Sequence, residues 1–122
     1  MTCDQIVLDG ALVITPRDAR IDLSNAEAFT AALLAALPEA GKALVVDLSG
    51  VEYISSAGLR SLMITLKAAK AQGAGLGVAA LRPLTREIFA ISRFDIVFTL
   101  FDSVRDAIAG LAPQAVAQFD AL

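Results

Sequence analysis

Two adjacent serines, Ser55 and Ser56, precede the small residues Ala57 and Gly58 at the start of a predicted helix. The spacing predicts Ser56 as the N-cap, whose side-chain oxygen can accept a hydrogen bond from an unpaired amide of the first turn. The positive end of a helix also accepts an anion well, so a phosphate on Ser56 would cost the fold little. Spacing alone is more typical of a serine that only caps a helix, and both interpretations stay open.

Polar residues also lie before these serines, at the end of a predicted strand. Asp47 and Ser49 follow a continuous, β-branched apolar run that predicts a strand buried on both faces. In open parallel sheets, ligand and partner sites gather at the carboxyl ends of strands. Asp47 and Ser49 either belong to such a site or bind the amides of their own loop.

The side-chain inventory excludes most catalytic chemistry. The chain has no histidine, which removes Ser-His-Asp triads, imidazole bases and the commonest zinc ligand. Its single cysteine, Cys3, lies near a terminus that we expect to fray, and no basic neighbour activates the thiol. We therefore predict a protein that is not an enzyme and has no catalytic residue, metal ion or cofactor.

Charge and hydropathy narrow the class further. Thirteen acidic residues against ten basic ones give a net charge of −3, and no basic stripe suits nucleic acid. No apolar run approaches the roughly 20 residues of a membrane span, and no secretory signal is visible. The 122 residues are predicted to form a single domain, residues 1–122, in the cytoplasm, without membrane insertion.

Strand and helix patterns alternate along the chain. Apolar runs on either side of Asp9-Gly10 predict an antiparallel hairpin of residues 6–8 and 11–14. Three further strands are predicted at 43–46, 76–81 and 96–101. A first helix is predicted from a cap at Ser24 or Asn25 to about Leu37, and further helices at about 57–72, 83–91 and 103–111. Because strands separated by helices make right-handed crossovers, we expect an α/β fold. Its sheet would be mixed, mainly parallel and five-stranded, with about four helices.

The segment around the serines resembles the signature of the STAS family, the anti-sigma factor antagonists. The residues that carry the resemblance are Asp47, Ser49, Val51, Ile54, Ser55, Ser56, Ala57, Gly58 and Leu59. The likeness extends from the first strand to the last helix, and the predicted element order is that of the family.

This resemblance implies a phosphorylation switch. Ser56 falls on the family's phosphoacceptor, which an anti-sigma factor serine kinase modifies with ATP. The unmodified form would bind that kinase and relieve its restraint of a sigma factor or similar output, and a metal-dependent serine phosphatase would reset the switch. Many family members have Asp before the acceptor, whereas this chain has Ser55, which makes Ser55 a competing acceptor. Asp22 falls on an acidic position beside the acceptor, or it caps the helix that follows.

The expected partner surface combines the start of the Ser56 helix, the turn before the first helix and the loop before the third. Its residues are Asp22, Ser24, Asn25, Ser55, Ala57, Gly58, Leu59, Arg60, Leu62, Arg82 and Leu84. A Gly58→Val substitution is expected to impair docking more than folding. STAS domains also act as non-switching modules, as scaffolds or as cytoplasmic partners of lipid-transport ATPases, and that alternative stays open.

Overall fold

The computed structural model describes residues 1–122 and opens with an antiparallel hairpin. Strands β1 (Cys3–Leu8) and β2 (Ala11–Pro16) pair around Gly10, whose φ of 83° lies in the left-handed region that glycine adopts easily. The hairpin is therefore as predicted. Cys3 pairs opposite Pro16 rather than fraying, and its burial raises the pKa of the thiol, which disfavours the reactive thiolate.

The rest of the sheet is parallel. β4 (Ala43–Asp47), β6 (Gly75–Ala79) and β7 (Thr99–Phe101) continue the order β1-β2-β4-β6-β7. Residues 43–46 of the central β4 are fully buried, and alternate side chains enter the two cores on opposite faces of the sheet. The predicted mixed five-stranded sheet is confirmed.

Helices cover both faces of this sheet. The larger core lies under α1 (Ala26–Ala36), α2 (Ser56–Ala71) and α3 (Pro83–Ile91), and contains the buried aromatic rings. The smaller, alanine-rich core lies under α5 (Val104–Leu111) and α6 (Val116–Asp120). The helix α5 ends before Pro113, as predicted. No helix is both long enough and apolar enough to cross a membrane.

The predicted strand at 96–101 is wrong in its first half. Arg93 has φ 60°, and the short helix α4 (Phe94–Val97) follows it, leaving only β7 for the sheet. Phe98 explains the turn, because its ring packs edge-to-face against Phe94 at 5.8 Å and Phe89 at 6.1 Å. Six α-helices result where about four were predicted; α4 and α6 are the short additions.

A second, two-stranded sheet was not predicted. β3 (Arg20–Ile21) pairs in parallel with β5 (Tyr53–Ile54), so Arg20 lies opposite Tyr53. Two-residue strands have no periodicity to detect in a sequence. This small sheet joins the segment before α1 to the segment before α2.

Candidate functional site

The start of α2 is held next to the turn before α1. The Ser55 amide donates a 2.8 Å hydrogen bond to the Ile21 carbonyl, which continues the β3–β5 pairing by one step. Asp22 therefore begins its turn beside the first residues of α2. Two of the three stretches expected to form one surface are brought together by this contact.

The helix α2 begins at Ser56, one residue earlier than predicted. Ser55 is the N-cap residue, with extended backbone (φ −86°, ψ 175°), and its carbonyl accepts the first helical bond from Leu59 at 3.0 Å. The Ser55 Oγ is buried without a hydrogen-bond partner, so it caps no amide. Ser56 is the first residue of the helix and is exposed. The prediction of Ser56 as the N-cap was wrong by one position.

The first turn of α2 is consequently uncapped. No side chain accepts a hydrogen bond from its amides, and no acidic residue lies in the turn. The amides of Ser56, Ala57 and Gly58 precede the first intrahelical bond, so they form the positive end of the helix. An anion on the Ser56 side chain would meet favourable partial charges here.

Gly58 is a packing glycine. A Cβ built on it would lie 2.6 Å from Ile54 Cγ1 and 2.8 Å from Ile21 Cγ2, both in the buried core. The helix can approach the small sheet this closely only because Gly58 has no side chain. The expectation that Gly58→Val would impair docking more than folding stays a prediction, and this packing argues against it, because the valine would first displace core side chains.

Two further residues of the expected partner surface face inward. Leu59 is 3% exposed and Leu62 is fully buried, and both belong to the larger core. Their inclusion in a contact surface is corrected: they anchor α2 on the sheet. Arg60, between them, points to solvent, as does Ser56.

The turn from Asp22 to Asn25 is ordered by its own side chains. Asp22 Oδ1 accepts hydrogen bonds from the hydroxyl and the amide of Ser24, and these bonds lower the pKa of the Asp22 carboxyl. Asn25 Oδ1 accepts from the Asp22 amide at 2.9 Å, and Asn25 Nδ2 donates to the Arg20 carbonyl at 2.8 Å. Asp22 thus stabilises the approach to α1 without a side-chain cap on that helix.

Asp47 has a structural role. Its carboxylate accepts hydrogen bonds from the Thr15 hydroxyl at 3.1 Å and from the Ser49 amide at 3.0 Å. Of the two open interpretations, the loop-binding one fits Asp47, since both oxygens are used within the fold.

The loop before α3, the third segment of the expected surface, is joined to the same end of the molecule by an ion pair. Arg82, the residue before α3, lies 3.8 Å from the carboxylate of Glu52 in the loop that leads to β5. Leu84 in the first turn of α3 is 51% exposed. Arg82 and Leu84 are therefore accessible and joined to the segment that carries the serines.

Most of the chain matches a known protein-family model. The family model described as "Mlab, STAS domain" matches residues 18–102, from the segment before β3 to the end of β7. The chain belongs to the STAS domain family. The resemblance noted in the sequence is confirmed, and the matched range contains both serines and the two-stranded sheet.

Relatives of this STAS domain carry consistent descriptions. A Bordetella bronchiseptica protein, described as a candidate anti-sigma factor antagonist BtrV, is 35% identical over 109 residues, covering 89% of this chain and 90% of the relative. The anti-sigma-F factor antagonist RsfB of Mycobacterium tuberculosis is 35% identical over 91 residues, covering 75% and 74%. The crystal structure of an anti-sigma factor antagonist from Mycobacterium paratuberculosis superposes with a TM-score of 0.80 at 32% identity, covering 90% and 92%.

One surface of the STAS domain was missed by sequence reasoning. A groove of about 650 Å³ lies between α1 and α2, and its walls include Leu23, Glu27, Leu34, Arg60 and Ile64. Leu23 is 85% exposed. The detectable signal was that Leu34 and Ile64 fall outside the apolar stripes that face the core. The groove starts at Ala57, one residue after Ser56.

Proposed function

We propose that this STAS domain is an anti-sigma factor antagonist whose binding to an anti-sigma factor serine kinase is controlled by phosphorylation of Ser56. The unmodified form binds the kinase and relieves its restraint of a sigma factor or similar output. The observation that carries the proposal is the contrast within the serine pair. Ser56 is exposed at the start of α2, whereas the Ser55 oxygen is shielded from solvent. The descriptions of the relatives support the class of partner.

The chemistry asks little of this chain beyond an accessible hydroxyl. In the kinase site, Ser56 Oγ attacks the γ-phosphorus of ATP while the bond to the β,γ-bridging oxygen breaks. ADP leaves, and the hydroxyl proton passes to a base of the kinase. A metal-dependent serine phosphatase reverses the change by directing water at the phosphorus, which releases inorganic phosphate and restores the hydroxyl.

The phosphate can weaken partner binding while leaving the fold intact. It adds about −1.5 to −2 charges at neutral pH, and in the contact these charges would lose hydration and repel nearby acidic groups. Within the free protein, the same charges lie at the uncapped positive end of α2, where they are tolerated. The difference between the two environments is the physical basis of the switch.

The buried residues of the expected set are removed from the proposed kinase-binding surface. Solvent-accessible atoms at this end of the molecule come from three elements. They belong to Ser56 and Arg60 on α2, to Asp22 and Ser24 in the turn before α1, and to Leu84 on α3. The other accessible members of the expected set are Asn25, Ala57 and Arg82, whereas Ser55 is half-buried and its side-chain oxygen is shielded. Gly58, Leu59 and Leu62 contribute by holding α2 in place.

The test is the intact mass of the protein after incubation with host extract and ATP, alongside the Ser55→Ala and Ser56→Ala variants. We expect one added phosphate in the original protein and in Ser55→Ala, and none in Ser56→Ala. Loss of the phosphate only in Ser55→Ala would move the acceptor to Ser55. Absence of phosphate in an extract with active serine kinases would contradict the switch and favour the non-switching module.

A further inference from the structure

Arg60 is placed to meet a charge on Ser56. It follows Ser56 by four residues on α2, a spacing that brings side chains on neighbouring turns within about 5 to 6 Å at their Cβ atoms. Both side chains are exposed. An anion that precedes a cation by four residues is also the favourable order for a helical ion pair, because it matches the helix dipole.

Arg60 differs from the other two arginines at this end of the molecule in having no ionic partner. Arg20 lies 4.0 Å from the Asp22 carboxylate and 4.5 Å above the Tyr53 ring. Arg82 lies 3.8 Å from Glu52. None of the five ion pairs in the structure includes Arg60, so its guanidinium is available without breaking an existing contact.

We propose that Arg60 binds the phosphate carried by Ser56 and thereby links the modification to the groove between α1 and α2. The ligand class is a phosphomonoester, which a guanidinium can bind through two parallel N–H donors. The inference rests on the proposed function and adds a residue that responds to the phosphate within the same chain.

The link to the groove follows from the position of Arg60 in its wall. Arg60 and Glu27 are the two charged residues that line the groove, one from each helix. With the Arg60 charge neutralised by the phosphate, Glu27 would be the remaining charged residue that lines the groove. Phosphorylation therefore changes the charge of a surface that extends beyond the modified residue.

The two acidic side chains expected near the Ser56 phosphate each form an ion pair with an arginine. Asp22 and Glu52 would repel a phosphate, but each already faces an arginine, Arg20 and Arg82 respectively. These two pairs come from the β3 turn and from the β5 loop with α3, while Glu27 comes from α1. Arg60 is the one cation near Ser56 on α2 itself, because Lys67 lies eleven residues away, about 16 Å along the helix.

The experiment uses the full chain with phosphoserine inserted at position 56 during translation, so it depends on no kinase. The second pKa of the phosphate is measured by phosphorus NMR in the original protein and in five variants: Arg60→Gln, Arg60→Lys, Lys67→Gln, Arg20→Gln and Arg82→Gln. Lys67→Gln is the matched control, because it removes one exposed charge from the same helix beyond the screening length of about 8 Å at physiological ionic strength.

We expect Arg60→Gln to raise the second pKa of the phosphate by about 0.5, since loss of the cation disfavours the dianion. Arg60→Lys should restore most of the difference, and Lys67→Gln should change the pKa by less than about 0.1. Equal values for Arg60→Gln and Lys67→Gln would overturn the inference. A rise only on Arg20→Gln or Arg82→Gln would also overturn it. Either of these pKa results would leave the proposed function intact. Absence of Ser56 phosphorylation in the intact-mass experiment would instead contradict the proposed function.

Discussion

Helices α2 and α5 both begin after a serine, and they use it in opposite ways. At α5, Ser103 Oγ accepts a 3.0 Å hydrogen bond from the Asp106 amide, and Asp106 adds a negative charge to the first turn. At α2, Ser55 occupies the same N-cap position, but its Oγ is buried without a partner and the first turn has no acidic residue.

The third residue of each helix shows the same contrast. Asp106 completes the cap of α5, whereas Gly58 of α2 serves only to let Ile54 and Ile21 approach the helix backbone. The start of α5 is thus arranged for stability. The start of α2 is fixed by core packing and leaves its positive end unpaired, which suits the phosphorylation of Ser56 that we propose.

The largest expected effect is on kinase affinity, when a negative charge is added at the start of α2 or of α5. Ser56→Asp should weaken binding to the kinase roughly a hundredfold, about 3 kcal/mol, because the carboxylate enters the contact. Ser103→Asp should bind normally, since it adds the same charge at the other helix and aspartate is also a good N-cap. Titration calorimetry of both variants checks this comparison. Equal affinities would show that the charge at the start of α2 is not what controls binding.

The next effect concerns the packing of α2. Gly58→Val should lower the free energy of unfolding by about 2 to 3 kcal/mol, because its Cβ overlaps two core isoleucines. Gly50→Ala is the control: the nearest atom to its added Cβ is the Pro16 carbonyl oxygen, at 3.9 Å. Urea unfolding midpoints measure both. A Gly58→Val protein as stable as Gly50→Ala would show that the helix can shift away from the small sheet.

A smaller effect tests the two caps directly. Ser103→Ala should destabilise the protein by about 1 kcal/mol through the loss of its hydrogen bond. Ser55→Ala should change stability by less than about 0.5 kcal/mol, because it removes a buried hydroxyl that has no partner. Thermal unfolding of the two variants is sufficient. A larger loss in Ser55→Ala than in Ser103→Ala would reverse the comparison.

The smallest effect concerns the turn beside α2. Ser24→Ala should raise the pKa of Asp22 toward its ordinary value, since the Ser24 hydroxyl is the main cause of the lowered pKa. Because the folded-state pKa of Asp22 is lowered, its contribution to stability is complete above the ordinary pKa of aspartate. It is lost as the pH falls through the folded value. Carbon-detected NMR titration of the Asp22 carboxyl measures the shift, and an unchanged pKa would contradict this account of the turn.

Most of the strands and helices could be predicted from the sequence. The hairpin around Gly10 and the buried β4 were visible as a turn dipeptide and a continuous apolar run, and both were predicted correctly. The segment 94–97 was mistaken for strand, because Ile96 and Val97 are apolar but exposed and the helix there depends on ring packing around Phe98. A tertiary contact of this kind leaves no local pattern.

The site was predicted in part. Ser56 was predicted as the N-cap, a position that Ser55 occupies, and an error of one residue is typical at helix ends. The hydrogen bond from the Ser55 amide to the Ile21 carbonyl depends on the β3–β5 sheet, and the unpaired state of Arg60 depends on which side chains the other arginines bind. Neither can be derived from spacing. The sequence carried only a partial signal for the groove between α1 and α2, in Leu34 and Ile64 outside the core-facing stripes.

The most direct test of the switch is the affinity of the kinase for this protein with and without a phosphate on Ser56. The kinase is isolated from host extract by its ATP-dependent modification of Ser56, and binding is measured by calorimetry with ADP present. The account predicts tight binding of the unmodified protein and at least a hundredfold weaker binding of the phosphoserine form, about 3 kcal/mol. Equal affinity for the two forms would contradict it.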